Sequence, residues 1–275
     1  MCICVQVCTK GNSMTTEIFY FSGSGNSLFI AKYLGERLGN SKLTSIASLN
    51  NKTEINCEAQ TIGIVFPVYF ISIPEYVSDF LKRLKVGKEA YVFVIANAGE
   101  TVGNTLIHTK KILANKSITM SAAFKVYLPD NSIFFATVKS KHELMMLECE
   151  NQLKEIIKKI VNKELIVPDK EPIYYAKATA NVVKFYCEYI LGFDDFIVDA
   201  KACIGCGLCE RVCPVQNIKL KEGIPKWEDH CTMCFACLHW CPKQAIELKK
   251  QKVHQDFQYT NPKIQVQEMI ERNND

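Results

Sequence analysis

Two cysteine runs constrain this chain more than any other feature: Cys203-Ile-Gly-Cys206-Gly-Leu-Cys209-Glu-Arg-Val-Cys213-Pro214 and Cys231-Thr-Met-Cys234-Phe-Ala-Cys237-Leu-His-Trp-Cys241-Pro242. Both read C-x2-C-x2-C-x3-C-P. Three cysteines with two residues between them can cap three irons of a cubane from one curled loop, the fourth thiolate arriving from elsewhere. The runs therefore predict two [4Fe-4S] clusters in one short, internally duplicated module. Zinc is the rival, but zinc ribbons use cysteine pairs to build two-plus-two tetrahedra, and two complete four-cysteine runs leave no simple pairing. Eight of the fourteen cysteines fall within these 39 residues, the spacing of a metal framework and not of disulfides, which predicts a reducing, cytoplasmic setting. His239 lies between two of them, yet cysteine fills every ligand position, so it reads as a packing or surface residue. Cys57, Cys149 and Cys187 stand alone and are expected to be buried thiols without a sensor role. Cys2, Cys4 and Cys8 have no expected metal role.

The rest of the chain has a different rhythm. Ile18–Phe21, Ile62–Phe66 and Tyr91–Ala96 are continuous apolar runs, as strands buried on both faces should be. Weaker strands are expected near Leu43–Ile46 and Ala122–Leu128. Between them come helical patterns: Leu28, Ala31, Leu34 and Leu38; then Val77, Phe80, Leu81 and Leu84 behind Pro74; then Thr105–Leu113. This alternation predicts an α/β fold with a parallel sheet covered on both faces. His142–Val161 reads as a long amphipathic helix, and Tyr174–Leu191 as another, closed by Gly192, whose aromatic face is expected to be packed. Residues 1–14 read as an extension or disordered tail, 15–168 as the α/β domain, 169–200 as a helical linker, 201–248 as the cysteine module and 249–275 as a polar tail that wraps the body or is mobile. A formal charge of +4, from 33 basic and 29 acidic residues without a long basic run, gives no argument for nucleic acid. No apolar stretch reaches 18 residues, so no transmembrane segment is expected.

The loop between the first strand and first helix, Ser22-Gly23-Ser24-Gly25-Asn26-Ser27, places backbone N–H groups and hydroxyls at a helix N-terminus, where a phosphate would fit. Position 28 is Leu where a dinucleotide fingerprint needs its third glycine, and no Gly-Lys-Ser/Thr follows. The loop instead resembles the Ser/Thr-Gly-Ser/Thr-Gly-Asn-Ser/Thr loop of flavodoxins, which implies an FMN phosphate there. In a doubly wound sheet the ligand lies outside the carboxyl ends of the strands. Two later loops fall there: Pro67-Val68-Tyr69-Phe70, a candidate wall for the isoalloxazine, and Asn97-Ala98-Gly99-Glu100 with Gly103 and Asn104, offering backbone contacts.

Taken together, residues 15–245 resemble prokaryotic proteins in which a flavodoxin-like domain is fused to a bacterial-type two-[4Fe-4S] ferredoxin domain; Tyr259-Thr-Asn-Pro262 is also similar to theirs. In two-cluster ferredoxins the fourth cysteine of each run serves the other cluster. The resemblance thus implies Cys203, Cys206, Cys209 and Cys241 on one cluster, and Cys231, Cys234, Cys237 and Cys213 on the other. The implied function is electron transfer between FMN and the clusters, connecting a redox partner protein or small-molecule donor with an acceptor. Two alternatives stay open: a flavin-dependent reductase of a small molecule fed by the clusters, and a redox or oxygen sensor. No catalytic dyad is visible, and His108 and His142 read as surface or packing residues.

Overall fold

In the computed structural model the described residues are 15–132, 135–168, 177–251 and 257–272; the extension of residues 1–14 and the start expected for the Tyr174 helix lie outside them. Five strands form one sheet: β1 (Thr16–Tyr20), β2 (Ser41–Ser45), β4 (Thr61–Pro67), β6 (Tyr91–Ala98) and β7 (Met120–Tyr127). Their order is β2-β1-β4-β6-β7, and every neighbouring pair is parallel. This is the flavodoxin-like order, whose reversal at β1 and β4 opens a crevice at the carboxyl edge. A short parallel pair, β3 (Ile55–Cys57) and β5 (Leu84–Val86), stands apart. Helices α1 (Asn26–Leu38), α2 (Glu75–Arg83), α3 (Thr105–Ala114) and α4 (His142–Val161) cover the sheet.

The strands form because both of their faces are apolar and buried: Ile18, Ile62, Ile64, Val65, Phe66, Phe93, Val94 and Ile95 are almost wholly inaccessible. Gly63 is required where it is, since a Cβ there would lie 2.5 Å from the Phe93 ring. Phe93 fills the space over β4, and Phe93→Ala is expected to lower the unfolding free energy by about 3–5 kcal/mol. The check is a lower urea midpoint at unchanged slope; an unmoved midpoint would contradict this packing.

The cysteine module is a small α+β unit built from two similar halves. Strand β8 (Phe196–Val198) pairs antiparallel with β11 (Ile246–Leu248), and β9 (Ile218–Lys221) with β10 (Ile224–Trp227). One-turn helices α6 (Leu208–Arg211) and α7 (Ala236–His239) follow the two cysteine loops. The halves share backbone as well as sequence: Gly205 and Gly207 have φ of 65° and 71°, and Met233 and Phe235, at the equivalent positions, have 52° and 53°. Glycine adopts this left-handed region freely, whereas Met and Phe store strain there.

Helix α5 (Lys177–Phe185), continued by a π-helical turn over Tyr186–Ile190, ends at Gly192 with φ 65°. From the sequence the aromatic face of this helix is expected to be packed, but Phe185, Tyr186 and Tyr189 are more than half exposed, and the Phe185 and Tyr189 rings lie tilted against each other, centroids 4.8 Å apart. Helical spacing marks an apolar face without telling what covers it. No helix among the described residues is long and apolar enough to cross a membrane. The tail wraps the body: residues 257–272 run back across the sheet's carboxyl edge and end in α8 (Val266–Glu271), closed at its start by a Gln265/Glu268 capping box.

Candidate functional site

The eight cysteines gather around two recesses. Cys203, Cys206, Cys209 and Cys241 line the first, about 380 Å³ with the solvent at its mouth included. Cys213, Cys231, Cys234 and Cys237 line the second, about 280 Å³ on the same measure. Each recess thus takes three thiols from one run and one from the other. Among the described residues no three His, Cys, Asp or Glu side chains converge closely enough to hold a single metal ion. Four thiols drawn from both runs around one recess are the donor set a [4Fe-4S] cluster takes.

The electrostatics agree with that fit. Burial pushes the Cys213 thiol up to about 11 and Cys231 to about 12, and raises Cys237 far above its ordinary range. Each is raised further by Cys234 beside it. Four thiolates cannot share this hollow without cationic charge among them, which the irons of a cluster supply. Backbone N–H groups already point at the sulfurs: Asn217 N donates to Cys213 Sγ at 3.3 Å, Ala245 N to Cys241 Sγ at 3.3 Å and Met233 N to Cys231 Sγ at 3.4 Å. The first two hold equivalent places in the two halves.

The recesses differ in exposure. Cys206 is exposed and Ile204 is 60% accessible at the outer recess, whereas Cys213, Cys234 and Cys237 are buried at the inner one. A Gly-to-Phe difference contributes to this. Gly207 lines the outer recess, while its counterpart Phe235 lines the inner one together with Phe196 and Trp227, and the rings of Phe196 and Trp227 stack at 5.1 Å. His239 is buried and accepts at Nδ1 from Tyr259 N at 3.3 Å, a packing role. Cys57 and Cys149 are buried and Cys187 partly so.

The glycine-serine loop is in a different state from the one its sequence suggests. Ser22, Gly23, Ser24, Gly25, Asn26 and Ser27 are all buried, so they do not open into an anion site. The loop is engaged through its carbonyls: Trp240 Nε1 donates to Gly23 O at 3.0 Å, Asn261 N to Ser24 O at 2.9 Å, and Arg272 Nη1 to Ser22 O. The Asn26 amide oxygen accepts from Tyr259 Oη at 2.8 Å and Asn261 Nδ2 at 2.9 Å. Ser27 Oγ accepts from Asn97 Nδ2 at 2.7 Å. A Cβ on Gly25 would lie 3.1 Å from Asn261 and 3.3 Å from Ile264.

The two later loops are more open. Tyr69, with Pro67 and Val68 partly buried beside it, has its hydroxyl raised well above its usual range by burial and then by Cys234. Phe70 packs against the cluster of Phe193, Met233 and Leu248. A Cβ on Gly99 would lie 2.3 Å from Asp130, while Ala98 is partly buried and Glu100 is exposed. Gly103 and Asn104 are buried. Asn104 Oδ1 and Thr105 Oγ1 lack a hydrogen-bond partner, a feature that a ligand would satisfy, but both are enclosed by protein. The ferredoxin-like module and the tail hold the carbonyls of Ser22, Gly23 and Ser24, whereas Pro67, Val68, Tyr69, Phe70, Ala98 and Gly99 keep partial solvent access and Glu100 is exposed. Sequence reasoning missed Trp240 and Arg272, which hold the loop together with Asn261 of the Tyr259–Pro262 segment.

Residues 195–257 match the 4Fe-4S dicluster domain family. An uncharacterized protein of Methanocaldococcus jannaschii is 35% identical over 66 residues, which are 20% of this chain and 26% of that one; the match thus spans about a quarter of that relative. Among solved structures, a putative flavoprotein from Bacteroides uniformis is 17% identical over 53% of this chain and 98% of its own, at TM-score 0.35. The flavodoxin of Streptococcus pneumonia TIGR4 gives 12%, 54%, 99% and 0.37. An FMN-dependent NADH-azoreductase from Bacillus anthracis, solved with FMN, gives 11%, 54%, 100% and 0.39. Likenesses this slight say nothing of what this chain binds.

Proposed function

We propose that this protein carries single electrons through two [4Fe-4S] clusters, one on Cys203, Cys206, Cys209 and Cys241 and the other on Cys231, Cys234, Cys237 and Cys213. The observation that carries the reading is the pair of recesses, each lined by four thiols drawn from both runs. When bound, such clusters take up and release one electron at a time with little rearrangement. The chain's own residues would hold them and donate hydrogen bonds to the sulfurs, and they make one site more exposed than the other. Exchange with a redox partner, protein or small molecule, is assigned to the outer face, where Cys206 and Ile204 reach solvent. Anaerobic protein should contain about eight irons per chain and show cluster EPR signals on reduction; a colourless preparation rich in zinc would defeat the reading.

FMN as a third redox centre is a second reading, supported by the Ser22–Ser27 sequence and the parallel sheet. Trp240, Asn261 and Arg272 hold the carbonyls of that loop. The expected outcome is cluster-loaded full-length protein that releases no stoichiometric flavin on denaturation, measured by fluorescence beside the iron assay. One FMN per chain would overturn the closed loop and bring back the flavin-dependent reductase.

A further inference from the structure

Arg272 stands outside the cysteine module, yet its guanidinium is buried at its edge, with the residue 2% accessible. Nη2 donates to Val212 O at 3.0 Å and Nη1 to Ser22 O, while Nε has no partner. Among the described residues no carboxylate pairs with it. Burying a cation without a counter-charge costs several kcal/mol, so its neighbours must supply one. Burial pulls the guanidinium below its ordinary range, and the groups that oppose this are, in order, Cys234, Tyr20, Tyr69 and Cys213. Two of these are thiols of the inner recess, and Val212 directly precedes one of them.

We propose that Arg272 is the counter-ion of the inner cluster, reaching it from the far end of the chain and making it easier to reduce. The proposal rests on the two-cluster reading above. Four thiolates leave a cluster site anionic, and taking up an electron adds one more negative charge. Local charge and exposure set a cluster's potential. Water performs this compensation at the outer recess, where Cys206 is exposed. At the inner recess Cys213, Cys234 and Cys237 are buried, and Arg272 supplies fixed positive charge where fewer waters reach the thiols. The guanidinium suits the position because it keeps its proton when desolvated and its planar fork can serve two carbonyls at once.

The test is an anaerobic EPR-monitored redox titration of the cluster-loaded full chain, with the two midpoints assigned through Cys206→Ser and Cys237→Ser. Arg272→Gln removes the charge and Arg272→Lys keeps it while losing the fork. Expected is a roughly tenfold shift of the inner reduction equilibrium in Arg272→Gln, a midpoint more negative by about 59 mV, with the outer midpoint unmoved and Arg272→Lys close to wild type. If Arg272→Gln fails to hold the inner cluster, retention at the wild-type midpoint in Arg272→Lys supports the same conclusion. Equal shifts in the two variants would show that the fork and not the charge matters, and two unshifted midpoints would show that neither does; either result would overturn the proposal. Iron absent from the wild-type chain would instead sink the two-cluster reading itself.

Discussion

Replacing Cys241 by alanine is expected to remove the cluster of Cys203, Cys206 and Cys209 and leave the one nearer Cys241 in sequence in place. The reason is geometric: Cys241 follows Cys237 by four residues, yet lines the outer recess, whereas Cys213 lines the inner one. Iron should fall from about eight to about four per chain, with one EPR component lost. Cys213→Ala is the reciprocal experiment, and its loss should be the other component. Chelation tells the two apart, since the outer site is open at Cys206 and the inner is walled by aromatic rings. If Cys241→Ala spared the outer component and removed the inner one, the crossed arrangement would be wrong.

Gly23→Ala should unseat the module from the sheet. A Cβ at Gly23 would come within 2.4 Å of the Cys234 carbonyl oxygen and 3.3 Å of the Tyr69 hydroxyl. The first is backbone beside a cluster ligand and cannot swing aside, so loop and module must separate at an expected cost of about 1–3 kcal/mol. Separation stretches the Trp240 bond to Gly23 O and loosens the tail, whose Asn261 and Arg272 hold the neighbouring carbonyls. Hydrogen exchange should quicken over 236–240 and 257–272 while the β4 and β6 amides stay protected. Gly87→Ala is the control, with nothing within 4 Å of its added Cβ. Identical exchange in the two variants would deny the tight apposition.

Local pattern made much of the architecture legible. Continuous apolar runs marked β1, β4 and β6 because strands buried on both faces have no polar side to alternate, and the 20-residue helix α4 followed from its periodicity. The cysteine runs were legible because ligand spacing is itself a local property. What could not be read is what lies across the loop. Asn26 and Asn261 are 235 residues apart, and no periodicity encodes a partner at that distance. The phosphate-loop sequence therefore reads as an anion site while its carbonyls serve as acceptors for Trp240, Asn261 and Arg272. Met233 and Phe235 hide the second half's left-handed turns for a related reason: glycine announces such a backbone, and a strained Met or Phe does not.

Residues 257–272 follow the sheet and both cysteine runs in the sequence, so synthesis yields the loop after β1 and the thiols before it yields Asn261 and Arg272, which hold that loop's carbonyls. Until that segment emerges, Ser22 and Ser24 lack these donors.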